Sequence, residues 1–255
     1  MTAGVLAPPR RTPAAWTPAA NALAVMDAAE AIELGVTPGA QWTRGDLLTQ
    51  PAGLAMMLDA AAKRWKAAPH AAATLAWKSY SYWAALPVVL SWAAARRVPL
   101  VTAETTYAQF HDEAPFLRIG VAAVPFAVLP DDALAGTPGT IVVDGEEALL
   151  ATLRHTLLDQ HLDPLLDAIR AEVRVGRRTL LGSVASGISY GLIRASDALP
   201  GSTHDSLLRL LAALELDDLV DICATDAGLS VQRRTCCLAF TLDEPKICGG
   251  CCIRP

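Results

Sequence analysis

The chain has 255 residues, 53% of them apolar and 18% charged, with 21 lysines and arginines against 26 aspartates and glutamates. A net charge of −5 argues against a nucleic-acid protein, because phosphate binding needs a basic face. At this length and apolar content the chain can build a sizeable core, as one large domain or as a main domain with a small appendage.

The opening stretch MTAGVLAPPRRTP has arginines and prolines where a signal peptide carries its apolar segment. The longest apolar run, residues 83–95, is interrupted by Pro87 and Ser91 and is too short for a spanning helix, which needs about 20 residues. The expectation is a soluble, cytoplasmic protein with at most a peripheral membrane contact.

In chain order, residues 1–20 are rich in Pro, Ala and Thr and predict a loose arm. Leu23, Met26, Ala29 and Ile32 recur at helical spacing and predict a helix over 21–33. A second helix is expected over 52–65. A third starts near His70, after Pro69, and runs towards Arg96 with a kink or break at Pro87. Short Val- and Ile-rich runs at 99–103, 117–129 and 140–143, separated by Pro and Gly, predict strands of a small central sheet. Helical patterns resume at 145–160. Asp163 as N-cap with Pro164 at the first helical position starts the next helix, which ends near Gly176. Two more are expected at 178–195 and 202–214, and from about 229 an irregular tail with a short hairpin. The fold class is α+β: a helix-dominated main domain over 1–225 with a small central β-sheet, and a cysteine-rich segment over 226–255.

Of six cysteines, five fall in the last twenty residues: Cys236, Cys237, Cys248, Cys251 and Cys252. Cys223, among Leu219, Val220 and Ile222, reads as a buried apolar cysteine. Clustered cysteines in a cytosolic chain point to metal rather than to a spread disulfide framework. The tail reads Arg233-Arg234-Thr235-Cys236-Cys237, ten residues, then Cys248-Gly249-Gly250-Cys251-Cys252. The C-x-x-C pair lets two thiolates converge, and Gly249 and Gly250 admit positive φ and turn backbone N–H groups towards sulfur. Asp243-Glu244-Pro245 is a turn that returns the chain beside the first pair. Adjacent cysteines in an extended segment point to opposite faces, which is awkward for one tetrahedral ion but suits separate irons. That favours a two-iron cluster over structural zinc; reactive thiols or disulfides stay as the third reading.

The pattern C-C-x10-C-x2-C near the C-terminus resembles that of the FhuF-like ferric-siderophore reductases, which hold a [2Fe–2S] cluster by it. Residues 159–165, Asp-Gln-His-Leu-Asp-Pro-Leu, are similar to the palm-like region that this family shares with siderophore synthetases, and 178–189 are similar in placement and small-residue content. A proline commonly follows the family's last ligand, whereas Cys252 stands there in this chain; the x2 spacing favours Cys251 as ligand. The resemblance implies a cluster on Cys236, Cys237, Cys248 and Cys251, and one-electron reduction of a ferric siderophore to release Fe(II) for iron assimilation. It also implies a ferredoxin or another reductase as electron donor. Hydroxamate, catecholate and carboxylate oxygens are hard donors that grip ferric iron more strongly than ferrous iron, so one added electron loosens the complex.

No G-x-G-x-x-G follows a strand and no P-loop is present; Gly136-Thr137-Pro138-Gly139-Thr140 reads as a turn. Arg233 and Arg234 are placed to raise the cluster potential or to dock an acidic carrier. For the siderophore, three groups stand out: the aromatic set Trp77, Tyr80, Trp83 and Trp92 near Lys78; the basic group Arg170, Arg174, Arg177 and Arg178; and the small-residue row Gly182, Ser183, Ser186, Gly187 and Gly191. Each also reads structurally, as a packed helix face, a solvated surface and a close helix contact. Trp77, His161, Arg174 and Arg178 are the named substrate-binding candidates. The competing functions are an iron–sulfur electron carrier with a protein partner, and a non-redox protein with a zinc-stapled tail.

Overall fold

The computed structural model describes residues 14–28, 30–111, 115–226 and 228–253. A 3-10 turn at Ala14–Trp16 leads into helix α1 (Thr17–Val25). Trp16 is buried and meets Phe126 edge-on at 5.0 Å, and Ala19 is buried with it, so this part of the expected arm is anchored to the core; the rest of the arm lies outside the described residues. Helix α1 stops well before residue 33. Ile32–Leu34 instead form strand β1, because tertiary pairing with a later strand outweighs the helical spacing. Ala29, one of the spaced apolar positions, lies outside the described residues.

Strand β2 (Thr43–Arg44) precedes helix α2 (Pro51–Trp65) and helix α3 (Pro69–Ala95), both opened by proline in the first turn, where its missing N–H costs nothing. Helix α3 is the axis of the molecule. Ala73, Ala76, Trp77, Tyr80, Ala84, Leu86, Val88, Val89 and Leu90 are all fully buried, so it is apolar on nearly every side. It passes through Pro87 without a break. Neighbours packed all round it supply the stability that the lost backbone bond removes. It ends at Arg96, which takes a left-handed turn (φ 52°) and donates to the terminal carbonyls of Trp92 and Ala93 at 3.0 and 3.2 Å.

The strands do not form one central sheet. Strands β3 (Arg97–Pro99), β4 (Thr106–Phe110), β5 (Leu117–Val121), β6 (Phe126–Val128) and β7 (Thr140–Val142) divide between a four-stranded sheet, β1-β5-β4-β2, and a three-stranded sheet, β3-β6-β7. The run 117–129 splits before Pro125, which has no N–H for a ladder, and its halves enter different sheets.

Helix α4 (Gly145–Arg154) continues through a π-helical stretch, His155–Leu162, into helix α5 (Asp163–Glu172). Asp163 is therefore no N-cap: Leu162 and Asp163 are both right-handed helical, at φ −80° and −62°. Pro164 explains the wider turn, since it has no N–H for the carbonyl of Gln160 and its ring would crowd that carbonyl in a regular helix. Helix α6 (Arg177–Arg194) lies along α3, and a Cβ on Gly191 would sit 2.4 Å from Leu86 Cδ2, so the small residue permits the close approach. Helix α7 (Thr203–Ala213) is capped by Ser202, whose hydroxyl accepts from Asp205 N at 3.1 Å. The hairpin of β8 (Val220–Thr225) and β9 (Gly228–Arg233) follows, and the division expected after residue 225 falls inside it. The class is α+β with helix dominant. Among the described residues no helix is long and apolar enough to cross a membrane.

Candidate functional site: a cysteine loop beside an aromatic, cationic pocket

Strand β9 delivers the chain to Arg233 and the first cysteine pair. The segment then folds back on itself: Lys246 N donates to Ala239 O at 3.0 Å, Arg233 N to Gly250 O at 2.9 Å, and Gln232 Nε2 to Cys251 O at 2.7 Å. The return expected near Asp243-Glu244-Pro245 is thus made. Gly250 is required for a different reason from the expected positive φ. A Cβ there would stand 2.0 Å from Val231 O, so the backbones touch where only glycine fits. The left-handed residue is Leu238, at φ 60°, a strained setting for a leucine. That turn lets its N–H donate to Cys236 Sγ at 3.3 Å.

The two adjacent cysteines diverge. Cys237 is buried with Leu75, Ala239 and Leu242, and its carbonyl accepts from Thr74 Oγ1 at 2.9 Å, which pins the loop to α3. Cys236 faces Cys252. Burial pushes the Cys252 thiol up, and the neighbouring Cys236 and Cys251 sulfurs, with a hydrogen bond from the Cys236 side, push the same way. Cys248 is exposed, and Cys223, expected to be buried, is exposed on β8. Among the described residues no three His, Cys, Asp or Glu side chains stand close enough to hold a metal ion. The tail cysteines are the soft donors available to a thiophilic metal or cluster, brought onto one loop by the bonds above.

Arg233 is 5% exposed. Its Nε donates to Thr235 O at 3.2 Å and its Nη2 to Ser183 Oγ at 3.0 Å, while Nη1 has no partner. No carboxylate pairs with it among the described residues. A buried cation without a counter-charge costs several kcal/mol. Arg234, by contrast, is exposed and paired with Asp221, whose carboxyl that guanidinium holds below the usual range.

Between the loop and helices α3 and α6 lies a cavity of about 830 Å³. Trp65, Tyr82, Trp83 and Tyr190 supply its aromatic walls, with Tyr82 and Trp83 rings 4.8 Å apart at 70°. Cys237 and Cys248 stand on its loop side, and Ser183, Ser186 and Gly187 form the α6 side. Among the described residues, four cations line it, Lys78, Arg194, Arg233 and Lys246, and no Asp or Glu does. Burial raises the Tyr82 phenol, with nearby Arg194 opposing, so the hydroxyl stays protonated.

The named candidates divide sharply against this cavity. Trp77 is fully buried in the core, its indole donating to Leu180 O at 2.8 Å. His161 is 1% exposed on the π-helical stretch, with Nε2 2.8 Å from Tyr80 Oη; burial alone drives it down to about 3, so it is neutral. Arg174 is exposed outside the cavity, and Arg178 pairs with Asp218 there. Arg177 binds Asp163 at 2.9 Å and Asp167 at 3.2 Å, so much of the basic group is neutralised. Trp83, Lys78 and part of the small-residue row do line the cavity. Trp65, Tyr82, Tyr190, Arg194 and Lys246 were not legible as a set, although Tyr190 gives one signal: a large aromatic, 52% exposed, on a helix with no other aromatic side chain.

No family model matches the chain, and no curated protein does. Among solved structures it is similar to aerobactin synthetase IucA from a hypervirulent pathotype of Klebsiella pneumoniae. The ATP-bound form aligns at 14% identity with TM-score 0.53 over 77% of this chain, and a second structure at 13% with TM-score 0.54 over 86%. The chain spans 42% and 48% of the length of those synthetase chains. At such identity the likeness establishes a shared fold.

Proposed function

We propose that this chain is a cytoplasmic ferric-siderophore reductase that holds a [2Fe–2S] cluster on Cys236, Cys237, Cys248 and Cys251 and seats its substrate in the adjoining cavity. The observation that carries the reading is that Cys237 and Cys248 form part of the wall of an 830 Å³ cavity, so thiol ligands and a chelate-sized space share one boundary. Support comes from the cysteine spacing and from the fold, which resembles that of a siderophore synthetase. The loop offers soft thiols and an N–H aimed at Cys236 Sγ, but no three of these cysteines stand close enough to share an ion in this structure, so the loop would have to close around a cluster to hold it.

A bound cluster supplies single-electron chemistry. The protein's own residues set its conditions. Leu238 N–H would place positive partial charge beside Cys236 Sγ, and Arg233 a full charge beside the neighbouring Cys252, which would favour a more negative, reduced cluster. The aromatic walls exclude water and hold the chelate. One electron, delivered by a ferredoxin or another reductase, converts Fe(III) to Fe(II), and the hard-donor siderophore then loosens its grip. Protein purified without oxygen is expected to be coloured, to carry about two irons and two labile sulfides per chain, and to become paramagnetic with dithionite. A colourless protein with one tightly held zinc would overturn the proposal in favour of a structural tail.

A further inference from the structure

We infer that the cavity selects ferric chelates of net negative charge, with Lys78, Arg194, Arg233 and Lys246 as its charge-reading groups. The inference deepens the reductase reading and rests on it for the ferric nature of the ligand. Three independent observations converge. The chain as a whole is acidic, at −5, yet among the described residues this cavity is lined by four cations and no carboxylate. One of the four, Arg233, is buried to 5% exposure with Nη1 unpartnered, the state in which a guanidinium awaits an anion. Lys78 and Lys246 make no ion pair among the described residues, whereas Arg44, Arg97, Arg177, Arg178 and Arg234 elsewhere each sit on a carboxylate.

Chelate charge follows from donor chemistry. Three hydroxamates, each −1, exactly offset Fe(III) and leave a neutral complex. Three catecholates, each −2, leave −3, and citrate-type carboxylate chelators also leave a negative complex. A neutral trihydroxamate would answer none of the four charges, and the cost is greatest at buried Arg233. Both anionic classes answer them. The aromatic walls of Trp83, Tyr82 and Tyr190 offer ring faces to catechols, whereas carboxylate chelates would rely on the cations and on Ser183 and Ser186.

Gallium(III) copies the charge and size of ferric iron but accepts no electron, so binding separates from reduction. The full-length, anaerobically purified protein would be titrated calorimetrically with gallium(III) complexes of enterobactin, rhizoferrin and ferrichrome, which are triscatecholate, bis-citrate and neutral trihydroxamate. At least one anionic complex is expected to bind roughly tenfold or more tighter than the neutral one, and the stronger of the two names the class. That preference should shrink as salt rises and screens the site. The double variant Lys78→Met/Lys246→Met, whose lysines are partly or fully exposed, should lose roughly tenfold for the anionic complex while the neutral one changes little. Equal affinity for all three, tighter binding of ferrichrome, or no binding of either anionic complex overturns the inference. Because no electron moves, those results leave the reductase reading untouched; a chelate that binds selectively yet never yields Fe(II) would sink the reductase reading and leave charge selection standing.

Discussion

His161 and Arg233 are both almost wholly buried, at 1% and 5% exposed, yet they meet burial in opposite ways. His161 gives up its charge: burial takes it down to about 3, and its Nε2 rests against the Tyr80 hydroxyl, itself raised by burial. Arg233 has no such option, because a guanidinium stays protonated at any ordinary pH. It keeps a full charge, with Ser183 and Thr235 accepting from its side chain and one amino group without a partner among the described residues. The first arrangement leaves Nδ1 without a partner but no charge to answer, and reads as core. The second is complete only when an anion arrives, and it lies beside thiols and a cavity. Burial of a polar group therefore marks a site only where the group cannot neutralise itself.

Acid should break the comparison most strongly. The folded pKa of His161 lies below its unfolded value of about 6.5, so below that point the unfolded chain takes up a proton that the fold refuses. Stability is complete above pH 6.5 and falls by several kcal/mol as pH drops towards 3. His161→Phe should flatten that acid limb of a denaturant-monitored pH series, whereas Arg233→Met should leave it unchanged. Next in size is Gly250→Ala. Its Cβ would collide with Val231 O, a backbone atom that cannot swing aside, so the loop should detach at a cost of about 2–3 kcal/mol. Iron bound after reconstitution should fall sharply while the helical far-ultraviolet signal persists. Tyr80→Phe removes the partner of His161 Nε2 and should cost about 1–2 kcal/mol in thermal unfolding, with no change in chelate affinity. Smallest is Arg178→Ala: its pair with Asp218 is exposed, so stability should move by less than about 0.5 kcal/mol and chelate affinity not at all.

The sequence was most legible where chemistry and backbone agree. Five clustered cysteines with glycines between them announced a returning loop, and the loop returns, held by Arg233 N to Gly250 O. Helices α2, α3 and α6 lie close to their expected bounds, although α3 lacks the break expected at Pro87. Local rules failed where tertiary packing outweighed them. Pro87 sits inside a helix packed on all sides, and Pro164 widens a helix into a π turn instead of starting one. Ile32 left its expected helix to pair with Ile119, a partner invisible at short range. The cavity was only partly legible because its walls come from α2, α3, α6, β9 and the tail, and no local pattern links Lys78 to Lys246 or Tyr82 to Tyr190. Arg174 and Arg178 drew notice as part of a basic group, but Arg178 and its neighbour Arg177 sit on carboxylates, and Arg174 is exposed between two helices, away from the cavity.

The most direct test of electron transfer from the cysteine loop to a chelate in the cavity is a single-turnover stopped-flow experiment without oxygen. The dithionite-reduced protein, freed of excess reductant, would be mixed with a ferric siderophore in the presence of a ferrous trap. The account predicts that visible absorbance returns as Fe(II) appears, one ferrous ion for each electron held, and that Cys237→Ser abolishes both signals together. Reoxidation that never occurs with any ferric chelate, by a protein shown to hold its full iron and sulfide, would contradict it.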